Sequence, residues 1–281
     1  MTVWLLRAVW VSLPLTAGPA AANAFDAWST GPQLVAAVLL WGAWAIVLLG
    51  VLAPRPQGLT ALRVVAPVFF ALAVVTAVAA DPSAVVAAGA LVATGIAAGL
   101  AVAPAVALAA ANGVAYGDER RFPLKTPPIL LLGPLPIAPL VVGVGLATGP
   151  LLIAADRPVF GAITVVVGLP LAAVMARALH GLSRRWVVLV PAGLVLVDPL
   201  TLPDPVLFLR ERIDSLRAVD PRAPAPPGTI DLRLGGLADS LGMTLDRDAE
   251  FLFTRRGIRG AVPAKGTEVR FAAVRSGDLL A

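Results

Sequence analysis

Apolar residues run through the first 180 positions in long, nearly unbroken blocks, and polar residues fall in short breaks between them. A helix needs roughly 20 mostly apolar residues to cross a hydrocarbon core about 30 Å thick. Six blocks qualify: about 3–22, 32–53, 61–80, 83–111, 128–154 and 158–180. The breaks hold turn formers and charges: Asn23 to Gly31 with Asp26, Pro54 to Gly58, Asp81-Pro82, Asn112 to Pro127, and Asp156-Arg157-Pro158. Charge at the middle of a bilayer is costly, so these breaks mark the water boundaries.

Past Ser183 the pattern shortens to runs of β-branched and aromatic residues. Arg185 to Val190 and Leu194 to Val197 predict a hairpin turning at Pro191-Ala192-Gly193. Val206 to Leu209, Thr229 to Leu234, Glu250 to Thr254 and Glu268 to Val274 are further candidate strands, with a short helix at Leu237 to Leu241. Pro221 to Gly228 is a stiff extended loop whose four prolines cannot donate to a sheet. The expected architecture is an α-helical transmembrane bundle over residues 1–183, followed by a small mainly-β domain over 184–281, a barrel or a sandwich.

Composition excludes whole classes of function. The 281 residues are 58% hydrophobic and 14% charged, and a mean hydropathy of +0.88 is far above that of a soluble enzyme. There is no Cys, and His180 is the single histidine. Thiolate metal sites therefore lack their residues, and a single histidine disfavours His-based zinc sites and Ser-His-Asp catalysis. No metal or other cofactor is expected. No phosphate-binding Gly loop, nucleophile elbow or HExxH motif is present.

Charge then gives an orientation. Residues 1–183 carry eight Lys/Arg and five Asp/Glu, against fourteen and twelve in residues 184–281. With the N-terminus inside, the cytoplasmic side holds Arg7, Arg55, Arg63, Arg120, Arg121, Lys125, Arg177, Arg184 and Arg185, and the outside holds only Arg157. That asymmetry predicts a plasma-membrane protein with a cytoplasmic C-terminal domain. Residues 1–24 have two readings, a retained span or a signal peptide cleaved near Ala22-Asn23-Ala24. The formal charge of +5 does not point to nucleic acid, because no Lys/Arg run is interleaved with aromatics.

Candidate chemistry is sparse. No acidic residue lies in the middle of a block, which disfavours ion-coupled transport. Mid-block hydroxyls such as Ser12, Thr76, Thr94 and Thr164 are expected to bond back to their own helices. Trp41 and Trp44 sit inside the second block, away from the interfacial belt, either filling bundle gaps or walling a cavity for an apolar ligand. Phe122 to Pro150 holds seven prolines, including Pro134, Pro136 and Pro139, so residues 128–139 are not expected to form one straight helix. Broken backbone of this kind either lines a cavity or is an interfacial lead-in to a helix starting near Leu140. Gly95-x3-Gly99 and Gly145-x3-Gly149 predict close helix approach. Arg120 and Arg121, in the Asp118-Glu119-Arg120-Arg121 run, either clamp a polar headgroup or form a solvated turn. Arg184, Arg185, Arg210 and Arg212 are candidates for anionic lipid headgroups.

The run from Arg185 to Asp198, with Pro205-Val206-Leu207-Phe208 and Ile213, resembles the opening strands of bacterial PH-like domains. The whole chain resembles uncharacterised actinobacterial polytopic membrane proteins with such a tail. That resemblance implies a binding module for protein segments or lipid headgroups, without catalysis. The first expectation is a membrane-anchored scaffold or regulator with a protein partner on the cytoplasmic side. The alternative is a transporter or carrier of an apolar, lipid-like substrate through the bundle.

Overall fold

A computed structural model of the chain describes residues 1–236, 238–254 and 260–281. Two units emerge: residues 1–110 with 134–180, and residues 111–133 with 181–281.

The first unit is helical. Its elements are α1 (Thr2–Thr16), α2 (Gly18–Phe25), α3 (Thr30–Leu52), α4 (Pro56–Ala79), α5 (Ala84–Ala101) and the start of α6 (Pro104–Asn112). After α7 (Pro128–Leu132), which belongs to the second unit, α8 (Pro134–Ala154) and most of α9 (Pro158–Ser183) complete it. Six stretches are long and apolar enough to cross a membrane: 2–25, 30–52, 56–79, 84–101, 134–154 and 158–183. Each lies on one of the six blocks.

Proline decides where the blocks break. The first is divided at Ala17, between Pro14 and Pro19. The block expected over 83–111 ends its first helix at Ala101 and restarts at Pro104, which fits a helix's first turn but not the interior of the preceding one. In the fifth block the break falls at Gly133, and α8 starts at Pro134, six residues before Leu140. Pro134 and Pro136 sit in the first turn, where N–H groups have no intrahelical partner to lose. Pro139 and Pro150 are carried inside the helix.

The helical core is formed where α1, α3, α4 and α5 meet, with Trp10, Leu6, Leu62, Val47 and Ala101 among its most buried members. Two arginines close helix ends there. Arg7 donates to the carbonyls of Val51 (3.2 Å) and Leu52 (3.4 Å) at the end of α3. Arg63 donates to the Ala101 carbonyl at the end of α5. Cations belong at these C-terminal ends, where orphan carbonyls concentrate negative partial charge. Small residues bring α8 and α9 together: a Cβ on Gly145 would lie 2.6 Å from the Gly168 carbonyl oxygen, and one on Gly149 would lie 2.4 Å from the Val165 side chain. Gly99 has nothing within 4 Å, so Gly95-x3-Gly99 is not a comparable contact.

The second unit is built on two four-stranded sheets. The first is a meander of β1 (Arg120–Pro123), β2 (Trp186–Val190), β3 (Gly193–Val197) and β4 (Val206–Leu209), all antiparallel. Gly193 is dictated by the close approach of β4, since a Cβ there would lie 2.0 Å from the Phe208 carbonyl oxygen. The second runs β5-β7-β8-β6, from β5 (Ile213–Ala218), β6 (Thr229–Asp231), β7 (Ser240–Thr254) and β8 (Ala261–Ala272). Its β6–β8 pair is parallel. Alternate residues make the core, including Val187, Leu194, Leu196, Met243, Val269 and Phe271.

Several expectations are corrected here. β1 was expected to be loop, and β5 was not expected at all. The helix expected at Leu237 to Leu241 is not formed at its far end, because Ser240 and Leu241 open β7; Leu237 lies outside the described residues. β7 is fifteen residues long, three times the strand expected at Glu250 to Thr254. After β8 the chain ends in α10 (Ser276–Leu280), a helix of five residues.

Candidate functional site

The helical unit encloses an apolar cavity of about 370 Å³. It is shaped by a helix that breaks early. At Ala17 the first span is interrupted, and from Pro14 to Ala22 it lines the cavity only with Pro14, Ala17, Gly18, Ala20, Ala21 and Ala22. The other walls are large: Trp41 and Trp44 from α3, Phe69 and Leu72 from α4, and Phe25 at the end of α2. Small residues opposite large ones leave the volume unfilled.

Both tryptophans read from the sequence are at this site. Their rings meet edge-to-face with centroids 5.4 Å apart, the arrangement that aromatic quadrupoles favour. Trp44 is half-buried, and its indole N–H donates to the Trp10 carbonyl at 2.8 Å. Trp41 is 57% exposed and Ala22 of α2 is also exposed, so the cavity opens between α2 and α3.

The hydroxyls on the lining are engaged. Thr76 donates to the Ala73 carbonyl (3.0 Å) and Thr94 to the Ala90 carbonyl (2.6 Å), each within its own helix. An apolar cavity whose polar groups are satisfied holds water poorly: a 150 Å³ example stays dry and accepts benzene. This one is more than twice that size. It can take an apolar molecule, and it offers no ionisable or nucleophilic group for chemistry. Among the described residues no cluster of three or more His, Asp or Glu could hold a metal ion.

The prolines are elsewhere. Pro134, Pro136 and Pro139 do not line the cavity; the first two are exposed on α8 and Pro139 is buried in its packing. This cavity is built on the first span rather than on segment 128–150. The signal that would have located it is the Pro14 to Ala22 run of small residues.

The arginines of the second unit are dispersed, and several are consumed. Arg185 is 3% exposed; it binds Asp198 through two nitrogens at 2.6 and 2.8 Å and the Lys125 carbonyl through a third. Asp198 also accepts from Thr201 and from the Leu200 N–H. Arg185 is therefore a structural cation and presents no charge to a headgroup. Arg121 pairs with Glu119 at 2.8 Å and covers the Trp186 ring, and its hydrogen bond holds the Glu119 carboxyl below the usual carboxylate range. Arg120 is exposed and lies over Phe122. Arg184 and Arg210 are exposed, whereas Arg212 is half-buried and pairs with Asp246 at 3.5 Å. Arg212 also borders a smaller groove of about 140 Å³ between β4 and β7, beside Phe208 and Phe251.

Compared with family models, curated proteins and solved structures, the chain has no match.

Proposed function

We propose that this chain is a multi-pass integral membrane protein that takes an apolar, lipid-like molecule into the cavity lined by α1 to α5. The observation that carries the reading is that cavity: lined almost wholly by apolar side chains, with Trp44 half-buried in its wall and Trp41 exposed at its mouth, and set between spans long and apolar enough to sit in lipid. A binding protein or carrier needs nothing further there, and the bundle supplies no charged relay for coupled transport. In this reading the plasma membrane is the host and the second unit is cytoplasmic, an orientation that the Lys/Arg asymmetry supports.

A second reading keeps the second unit as a PH-like binding module and the chain as a scaffold. It is favoured by the β4–β7 groove, next to which Leu207, Leu209 and Leu252 are exposed. It is weakened by the internal pairing of Arg185 and Arg121, two of the cations on which headgroup recognition would draw.

The test is mass spectrometry of the full-length protein purified in mild detergent, beside an Ala37→Phe variant that fills the cavity. A co-purifying apolar molecule lost in the variant supports the first reading. A co-purifying protein, retained in the variant, supports the scaffold instead.

A further inference from the structure

Resting on that reading, we infer that the occupant of the cavity is a single acyl chain of about fifteen carbons, scaled from benzene's six in 150 Å³. It is drawn from the half of the membrane that faces away from the arginine-capped helix ends. Three observations converge on it.

The cavity's lining follows the helices over several turns. On α3 its lining runs from Ala37 to Trp44, and on α4 from Phe69 to Thr76, about 10 Å along each axis at 1.5 Å per residue. On the first span it runs further, from Leu13 to Phe25. A compact ring system would fill only part of such a slot, whereas an extended chain follows it.

No polar end can be accommodated inside. The hydroxyl protons of Thr76 and Thr94 and the indole N–H of Trp44 are spent on backbone carbonyls. Among the described residues the Trp41 indole N–H has no hydrogen-bond partner, and Trp41 is exposed at the mouth. A ligand that is hydrocarbon inside and polar outside matches that distribution.

Direction follows from the caps. Arg7 marks the end of α3 at Val51 and Leu52, and Arg63 lies near the start of α4. The lining residues of the first span and of α4 lie toward the ends remote from these arginines, and those of α3 sit at its middle. A chain entering beside Ala22 and Trp41 therefore comes from the leaflet remote from the arginines, and its polar end stays near Asp26.

The same chemistry comes from a bilayer phospholipid or from a free fatty acid, and the experiment separates them. The full chain, stripped of lipid in detergent, is equilibrated with saturated fatty acids from octanoate to octadecanoate, and in parallel with dioleoyl phosphatidylcholine. Stoichiometry and affinity are read by native mass spectrometry. The expected result is one acyl ligand per chain, with affinity rising with chain length to about fourteen to sixteen carbons and then levelling. Ala37→Phe and Ala21→Leu should each weaken binding about tenfold or more, while Val144→Phe, exposed on α8, should not. Retention of phosphatidylcholine but not fatty acid identifies the bilayer as the source; the reverse identifies the free acid. If naphthalene binds and acyl chains do not, the acyl assignment falls and the broader apolar-ligand reading stands. If the wild-type chain binds neither, both fall. Equal acyl binding in the wild-type and both filled variants would place the ligand elsewhere and overturn the inference.

Discussion

Trp10 and Trp44 exchange hydrogen bonds: each indole N–H donates to the other's backbone carbonyl, at 3.0 and 2.8 Å. Half of this exchange is forced by sequence. The Trp10 carbonyl would normally accept from residue 14 of the same helix, but residue 14 is proline and has no N–H. Trp44, on α3, supplies the missing donor across the packing of α1 and α3. The pair thus fixes the inner end of the cavity while leaving Trp41 free at its mouth.

Trp44→Phe should therefore destabilise the helical unit by about 1–3 kcal/mol, the cost of orphaning a buried carbonyl, while Trp41→Phe should be close to neutral. Pro14→Ala restores an intrahelical donor, so the Trp44→Phe penalty should shrink in that background. A double-mutant cycle by thermal or denaturant unfolding in detergent measures the coupling. Identical penalties in both backgrounds would show that the indole does not serve the proline gap.

Gly145 and Gly149 differ from Gly99 in a way that mutation can read. Gly145→Ala puts a methyl 2.6 Å from the Gly168 carbonyl oxygen, so α8 and α9 must separate, at about 1–3 kcal/mol. Gly99→Ala meets nothing within 4 Å and should be neutral or slightly stabilising, since Ala is the better helix former. The two variants, compared in one unfolding assay, should differ in sign or by more than about 1 kcal/mol. Equal effects would mean that the glycine contact does not hold α8 to α9.

How far these features were legible in the sequence depends on the range of the forces involved. The six blocks were legible because hydropathy is summed over twenty residues and survives local irregularity. The broken first span was visible only as Pro14 and Pro19, and its consequence, a gap opposite Trp41 and Trp44, depends on which helices become neighbours. β2 and β3 declared themselves through runs of β-branched and aromatic residues and a Pro-Ala-Gly turn. β1 did not, because Arg120-Arg121-Phe122-Pro123 carries charge and becomes a strand only by pairing with β2, more than sixty residues away. In β7 the register shifts between Thr244 and Ala249, and the polar run Asp246-Arg247-Asp248 that broke the pattern sits in that irregularity. Arg185 looked like a juxtamembrane cation, and its partner Asp198 was in view thirteen residues away. What could not be read was that β2 and β3 would bury both.

Removing one member of that pair leaves the other charged and buried. Asp198→Ala should destabilise the second unit by about 3–5 kcal/mol, with additional loss from the Thr201 and Leu200 bonds. Replacing both, as Arg185→Met with Asp198→Leu, should recover much of the deficit, because an apolar pair of similar volume avoids the desolvation cost. Hydrogen exchange of β2 and β3 in the full chain reports it. A double variant as unstable as the single would mean that the hydrogen bonds to Lys125, Leu200 and Thr201 outweigh the ion pair.

Asp231 supplies a pH signature away from the helices. Burial alone would raise its carboxyl, but hydrogen bonds from the Arg233 side chain and backbone outweigh this and hold it below the ordinary carboxylate range. A carboxyl depressed on folding contributes stability that is present above its unfolded value, about 3.9, and is lost as pH falls through the lower folded value. Protection of the β6 amides, Thr229 to Asp231, should therefore weaken on acidification below about pH 4. In Asp231→Asn protection should be lower at neutral pH and lose this acid dependence. Unchanged acid dependence in the variant would assign the transition to another carboxylate.

Topology closes the test of the membrane reading, and the absence of cysteine makes the chain a clean background for it. Single cysteines at Gln57, Asp156 and Asp239 sample the start of α4, the break before α9 and the second unit. In intact cells a membrane-impermeant maleimide should label Asp156→Cys and leave Gln57→Cys and Asp239→Cys untouched until the membrane is opened, because Lys and Arg concentrate on the inner side. Labelling of Gln57→Cys and Asp239→Cys in intact cells, with Asp156→Cys protected, would invert the orientation and place the acyl chain's leaflet on the cytoplasmic side. Labelling of all three without permeabilisation would remove the membrane reading, and with it the lateral route into the cavity between α2 and α3.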